Sequence, residues 1–290
     1  MKKVFLILIT FLIYSNISFA DNLSSGSTMY AAESGYNKTA SAVYYNPSFT
    51  TFLEGSSVSF GYMRFYNPSY FYNFYFSYMS RLNKNGTAGI LWSRFNSYGD
   101  INYFDYSEDN FIVSYSHVVV KYFRPGGALK IKNISTDAGS GMGYSFTLSL
   151  LVVPVENYFI SFIFTDIISS DLRWTTNLTE SFERKFIIAN SYKINLNPLS
   201  VVLSADYLVN NISLKDYIIS GNYSYPFIKA GIMVTYSVLK AGVGVIKDDG
   251  YRISSGFSIG VMDGGSVGVN YISNNAELGF TSGIYFDYKY

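Results

Sequence analysis

Cysteine is absent from the 290 residues, which excludes disulfides, thiolate metal sites and lipid attachment through a cysteine. A single histidine, His117, leaves too few nitrogen donors for a transition-metal centre, and no cofactor is expected. Charge is scarce as well. Asp, Glu, Lys and Arg make up 14% of the chain, against about 25% in soluble domains. The 21 basic and 20 acidic residues nearly cancel, so there is no basic footprint for nucleic acid. Long hydrophobic runs are missing too: after residue 20 no apolar stretch reaches the length of a membrane helix.

Aromatic residues are plentiful, at 19%, with 29 Tyr and 24 Phe. The first 20 residues read as an export signal. Lys2 and Lys3 supply the positive start, Val4 to Tyr14 is almost wholly apolar, and Ser18-Phe19-Ala20 predicts cleavage after Ala20. Loss of the two lysines leaves 19 basic residues against 20 acidic ones, a net charge of −1. An exported chain this apolar, without helical spans, must hide its greasy surface in another way. A closed β-barrel does so, with alternate side chains facing lipid and no unpaired edge.

The chain divides at about residue 54. Residues 21–54 are rich in small side chains (Ala31, Ala32, Gly35, Ala40, Ser41, Ala42) and end in Tyr44-Tyr45-Asn46-Pro47-Ser48-Phe49. Pro47 biases Asn46 away from helix, so this segment reads as compact, partly helical and closed by a tight turn. From residue 55 a period of two takes over. It predicts strands at 56–66, 70–81, 86–96, 109–120, 125–135, 141–153, 157–168, 182–193, 198–209, 213–224, 227–246 (one or two), 252–262, 265–273 and 276–290. Residues 55–290 therefore read as an all-β transmembrane antiparallel barrel of about 14 strands. Within 141–153, Met142, Tyr144, Phe146, Leu148, Leu150 and Val152 share one face, and Gly141, Gly143, Ser145, Thr147 and Ser149 the other. In 125–135, Leu129 and Ile131 point outward, which turns Lys130 and Lys132 inward. In 252–262, Phe257, Ile259 and Val261 oppose Ser254, Gly256, Ser258 and Gly260. Small inward residues leave lumen space, which residues 21–54 are expected to fill.

Turn residues separate many of these runs, as in Asn83-Lys84-Asn85-Gly86, Asp248-Asp249-Gly250, Asp263-Gly264-Gly265 and Ser273-Asn274-Asn275. Longer breaks fall at 96–108, 136–140 and 169–181. The first is acidic and aromatic, through Asp100, Asp105, Glu108, Tyr98, Tyr103, Phe104 and Tyr106 with Asp109 at its edge. It reads either as an exposed binding loop or as a solvated turn.

Residues 31–49 resemble the N-terminal segment of the PorV/PorQ family of outer-membrane proteins, which is related to the FadL transporters. Tyr44, Tyr45, Asn46 and Pro47 match the family's Tyr-Tyr-Asn-Pro directly. Ser48 stands where Ala is usual, Phe49 where Leu is frequent, and Tyr36-Asn37 replace a Gly-Ala pair. Phe111 to Ser116, Gly127 to Lys132 and Lys229-Ala230-Gly231 are similar to later family strands in rhythm. The resemblance implies a 14-stranded barrel in the outer membrane of a Gram-negative-type envelope, with residues 21–54 as a hatch and Tyr44, Tyr45, Asn46 and Pro47 at its turn. It implies passive passage of small hydrophobic molecules. The rival reading from the same family is a non-transporting scaffold, with a secretion or surface-protein partner. Outer-membrane lipid is the shared partner, and the barrel is expected to be a monomer.

Individual residues carry two readings each. Asn46-Pro47 fixes either a hatch turn beside a ligand path or merely a rigid corner. Lys130 and Lys132, with Asp206 as a counter-charge, either line a path or neutralise one another in the lumen. His117 would be a catalytic base only with a nucleophile within reach, and Ser114 and Ser116 both point to the opposite face of its strand. No enzyme is therefore expected. Tyr285, Tyr288, Tyr290, Trp92 and Trp174 are candidates for the aromatic girdles at the membrane interfaces. Phe280, Ser282, Ile284, Phe286, Tyr288 and Tyr290 alternate to the last residue, like the sorting element of outer-membrane barrels.

Overall fold

The computed structural model describes residues 34–65, 71–97, 105–137, 139–176, 179–180, 182, 184–210, 227–247, 251–273 and 280–290. The expected signal segment 1–20, the first part of the expected hatch and the expected strand 213–224 lie outside them.

Alternation of large apolar and small polar residues drives the chain into strands. They are β1 (Ser56–Phe65), β2 (Phe71–Arg81), β3 (Gly86–Ser97), β4 (Tyr106–His117), β5 (Phe123–Thr136), β6 (Gly139–Val152), β7 (Tyr158–Ser169) and the short β8 (Leu172–Trp174) and β9 (Thr179–Glu180). There follow β10 (Lys185–Leu196), β11 (Leu199–Asn210), β12 (Phe227–Tyr236), β13 (Leu239–Lys247), β14 (Tyr251–Met262), β15 (Gly265–Ser273) and β16 (Phe280–Lys289). Neighbours pair antiparallel from β1 to β7, β7 pairs with β10, pairing continues to β16, and β16 returns to β1. Fourteen strands thus form a closed barrel, and β8 and β9 extend it as a hairpin on β6. The seam runs from Ser57↔Lys289 to Arg64↔Ser282. Reciprocal bonds between Ser56 and Tyr290, at 2.9 and 3.0 Å, extend it by one residue.

The region 227–246 resolves into two strands joined at Ser237-Val238, with Ser237 at φ 53°. The break at 96–108 is shorter than its composition implies. β3 runs to Ser97 and β4 starts at Tyr106, so Glu108 and Asp109 are wall residues rather than loop residues. Inside the break expected at 169–181 sit β8 and β9, too short to show a period.

Pleating sorts the side chains. Phe60, Ile90, Val113, Leu129, Ile131, Val245, Ile259, Val269 and Ile284 lie exposed on the outside. Ser59, Ser77, Ser93, Ser114, Ser149, Ser161, Ser204, Ser258 and Thr281 are buried on the inside. One correction concerns Tyr285. It shares the parity of Thr281 and Asp287, is buried inside the wall, and so does not belong to a girdle. Trp92, Tyr290 and Tyr115 are exposed.

This outer surface matches lipid, not water. Ile131→Arg, set between Phe111 and Tyr144 on the exposed face, is expected to cost about 2–4 kcal/mol in a bilayer. Urea unfolding in lipid vesicles measures that loss, and an unchanged midpoint would contradict a lipid-facing position.

Candidate functional site: the filled lumen

Residues 34–53 pack inside the barrel. Asn37 Oδ1 accepts the Thr39 amide at 3.1 Å and the Thr39 hydroxyl at 2.9 Å, which turns the chain. One helical turn follows, Ala42–Tyr45. Asn46 then adopts φ −155° and ψ 88°, outside the helical region that a following proline disfavours. Pro47 begins a 3₁₀ turn, Pro47–Phe52, where a missing N–H costs nothing. The Thr50 and Thr51 hydroxyls bond back to the Pro47 and Ser48 carbonyls at 2.7 and 2.8 Å.

Polar anchors tie this inner segment to successive wall strands. The Ser34 amide donates to Asp206 Oδ2 on β11 at 3.0 Å. The Ser191 hydroxyl of β10 donates to the Gly35 carbonyl. The Asn46 amide nitrogen donates to Ser161 Oγ of β7 and to the Ser34 carbonyl, both at 2.8 Å. Its Oδ1 accepts from the Ser48 hydroxyl at 2.6 Å. The Ser48 amide donates to Ser149 Oγ of β6 at 2.9 Å, and Thr50 pairs with Ser116 of β4. At Gly126 of β5 the inner segment approaches the wall backbone directly: a Cβ there would lie 2.5 Å from the Ser48 nitrogen. A Cβ on Gly89 of β3 would lie 2.4 Å from Val43 Cγ2.

Apolar contacts fill the space between these anchors. Ala40, Val43, Tyr45 and Leu53 pack with Tyr75, Met79, Leu91, Ile112 and Ala128 of β2–β5. Tyr36 and Phe49 pack with Leu151, Phe159 and Val202 on the other flank. Tyr36, Phe49 and Phe159 meet as tilted and edge-on rings at 5.5 to 5.6 Å, the geometry that aromatic quadrupoles favour. Burial pushes the Tyr36 hydroxyl up to about 12. Tyr44 and Tyr45 also meet edge-on, at 5.1 Å. Of the four expected turn residues, Tyr45, Asn46 and Pro47 are buried and Tyr44 is partly so.

The expected lumen charges point inward but pair differently from the sequence-based expectation. Lys130 Nζ lies 2.8 Å from Asp166 Oδ1, on β7, and Asp166 also accepts the Ser145 hydroxyl. Lys132 Nζ lies 2.8 Å from Glu108 Oε2, on β4, and Glu108 further accepts Tyr106 and Asn110. Asp206 is not their counter-charge: it holds Ser34 and stands opposite Lys229 of β12. Asp166 has φ 55° and sits where β7 bulges against β6, between the pairs Phe146↔Ile168 and Leu148↔Phe164. His117 Nδ1 pairs with the Tyr115 hydroxyl at 3.1 Å, while Ser116 faces inward to Thr50. That geometry turns Ser116 away from His117.

At the end of the barrel where strands join by short turns, such as 197–198, 237–238 and 263–264, cations gather. Arg124 Cζ lies 3.9 Å from the centre of the Phe52 ring, and Lys38 Nζ lies 5.0 Å from it. Arg124 Nη1 reaches Thr51 Oγ1 at 3.3 Å. Burial pulls the Lys38 ammonium down to about 8, and Lys193, Lys289 and Arg124 add to this while Glu54 opposes it. Sequence reasoning missed this group because its members are far apart in the chain.

A closed antiparallel sheet with an apolar exterior and a filled interior defines the class: an outer-membrane β-barrel. No family model and no curated protein matches the sequence. Solved structures do match in fold. A Pseudomonas aeruginosa FadL homologue superposes with a TM-score of 0.61 at 11% identity, covering 95% of this chain and 100% of its own. The Ralstonia pickettii toluene transporter TbuX gives 0.64 at 10% identity, with 93% and 99% covered. The monoaromatic hydrocarbon channel CymD gives 0.65 at 12% identity, with 89% and 94% covered. The chain has the fold of these FadL-type proteins.

Proposed function

We propose that this chain is a passive outer-membrane channel for small hydrophobic molecules, gated by residues 21–54 as a hatch. The observation that carries the reading is the inner segment 34–53, seated on wall strands by single hydrogen bonds inside a FadL-type barrel. Individually modest bonds, each worth about 1 kcal/mol net, let such a segment shift without unmaking the wall. The stretch 170–184 between β7 and β10 is longer than the two-residue turns at the opposite end, and longer barrel loops face outward, so ligand would enter from that end. It would meet apolar side chains, then pass when the turn at Tyr44, Tyr45, Asn46 and Pro47 moves. The hydrocarbon cargoes of the related folds support the substrate class.

Uptake of radiolabelled toluene and oleate by intact Gram-negative cells producing the chain tests this reading. Uptake several-fold above that of cells with an empty vector is expected. No increase, with folded protein present in the outer membrane, would refute transport.

Dense anchoring of the inner segment favours a second reading, which the PorV/PorQ resemblance at Tyr44 to Pro47 also supports. The barrel would then be a non-transporting scaffold for a secretion or surface-protein partner. Mild crosslinking in cells should then recover one reproducible partner in place of hydrocarbon uptake.

A further inference from the structure

Lys38 and Arg124 differ from the two paired lysines of the lumen. Lys130 and Lys132 each meet a carboxylate at 2.8 Å. Among the described residues neither Lys38 nor Arg124 forms an ion pair, although both are partly buried. Arg124 Nε is buried and has no hydrogen-bond partner among them. The two cations share one aromatic ring, that of Phe52. Other cations face them: Lys193 of β10, Lys289 of β16 and Arg81 of β2. Among the described residues the single acid acting on Lys38 is Glu54, which is exposed.

Like charges around a partly desolvated place repel one another and lose hydration, and Lys193 and Lys289 act on Lys38 more strongly than Arg124 does. Contact with the Phe52 ring offsets only part of that, because a cation–π contact contributes roughly 0.5–2 kcal/mol. The arrangement carries more positive than negative charge. A guanidinium offers a planar fork that fits a carboxylate or phosphate group, and an ammonium adds a point charge beside it.

We propose that Lys38, Arg124 and Phe52 form a binding site for a small free oxyanion, a carboxylate or phosphate, at the short-turn mouth of the lumen. Lys193 and Lys289 supply a supporting positive field. Because the cluster faces inward from the wall, its ligand is a solute and not a bilayer headgroup. The site stands whether or not any hydrocarbon passes the barrel.

Lys38 sets a pH dependence. Its ammonium, lowered to about 8, is charged below that pH and neutral above it, so oxyanion binding strengthens below and weakens above. Calorimetric titration of the full chain in a nonionic, phosphate-free detergent tests this, with benzoate and inorganic phosphate as probes. Saturable binding of at least one probe is expected at pH 6.5, and for benzoate, whose charge is the same at both pH values, about tenfold weaker binding at pH 9.5, the effect of about 1.4 kcal/mol. Lys38→Met should lower affinity at pH 6.5 and abolish the pH step. Lys38→Arg, which keeps the charge, should bind benzoate equally at both pH values. Absence of binding by either probe at pH 6.5 would overturn the proposal. So would an unchanged pH step in Lys38→Met, or binding confined to short-chain phosphatidylglycerol added to the micelles. Hydrocarbon uptake measured on the same variants separates this outcome from the fate of the channel reading.

Discussion

Gly126→Val is expected to unseat the inner segment while leaving the barrel wall intact. A Cβ at Gly126 meets the Ser48 nitrogen at 2.5 Å, Ser48 Cα at 2.7 Å and the Pro47 carbonyl carbon at 2.8 Å. All three atoms are backbone, so rotation of a side chain gives no relief. The 3₁₀ turn must lift off β5, which also breaks the bond from the Ser48 amide to Ser149. The cost is about 2–3 kcal/mol in stability, in the range of overpacked cores. The wall should persist, because Gly126 pairs with Ser116 and Ser149 through its backbone. The folded form should still show its heat-dependent shift on gels, while single-channel recording in planar bilayers shows longer or larger openings than the parent. A closed trace identical to the parent would mean that residues 47–50 obstruct nothing.

Lys130→Met is expected to be the most damaging of the lumen substitutions. It leaves the Asp166 carboxylate, 9% exposed, without its cation. Breaking a buried pair from one side costs about 3 kcal/mol or more. Adding Asp166→Asn should restore most of the loss. Asparagine tolerates the left-handed φ of 55° at this position and can keep the Ser145 contact. Urea unfolding of the two variants measures the difference. If the double variant were no more stable than the single one, charge would not be what Lys130 contributes.

The alternation was legible because facing follows from parity alone. Leu129 and Ile131 are outside and Lys130 and Lys132 inside, as their order dictates. Partners were not legible, because they depend on register between distant strands. Asp166 reaches Lys130 from β7 only where the strand bulges, and no glycine marks that bulge. The split of 227–246 was hidden for a related reason: Ser237-Val238 makes its two-residue turn without Gly or Asn. The Asn46-Pro47 corner was visible as a corner. Its anchors were not, since serine is common in the inward positions and only the fold selects Ser149, Ser161 and Ser191. The basic group around Phe52 was invisible until β5, β10 and β16 were placed side by side with residue 38.

The bond between Ser34 and Asp206 joins residues 172 positions apart. The inner segment precedes every strand in synthesis, yet its last anchor belongs to β11. Its seat does not exist until most of the wall has been laid down. Anchors on β4, β6 and β7 need only the earlier strands, but docking is complete only once β10 and β11 have paired. An interrupted assembly would therefore leave residues 34–53 accessible to protease, and their protection reports that the late strands are in place.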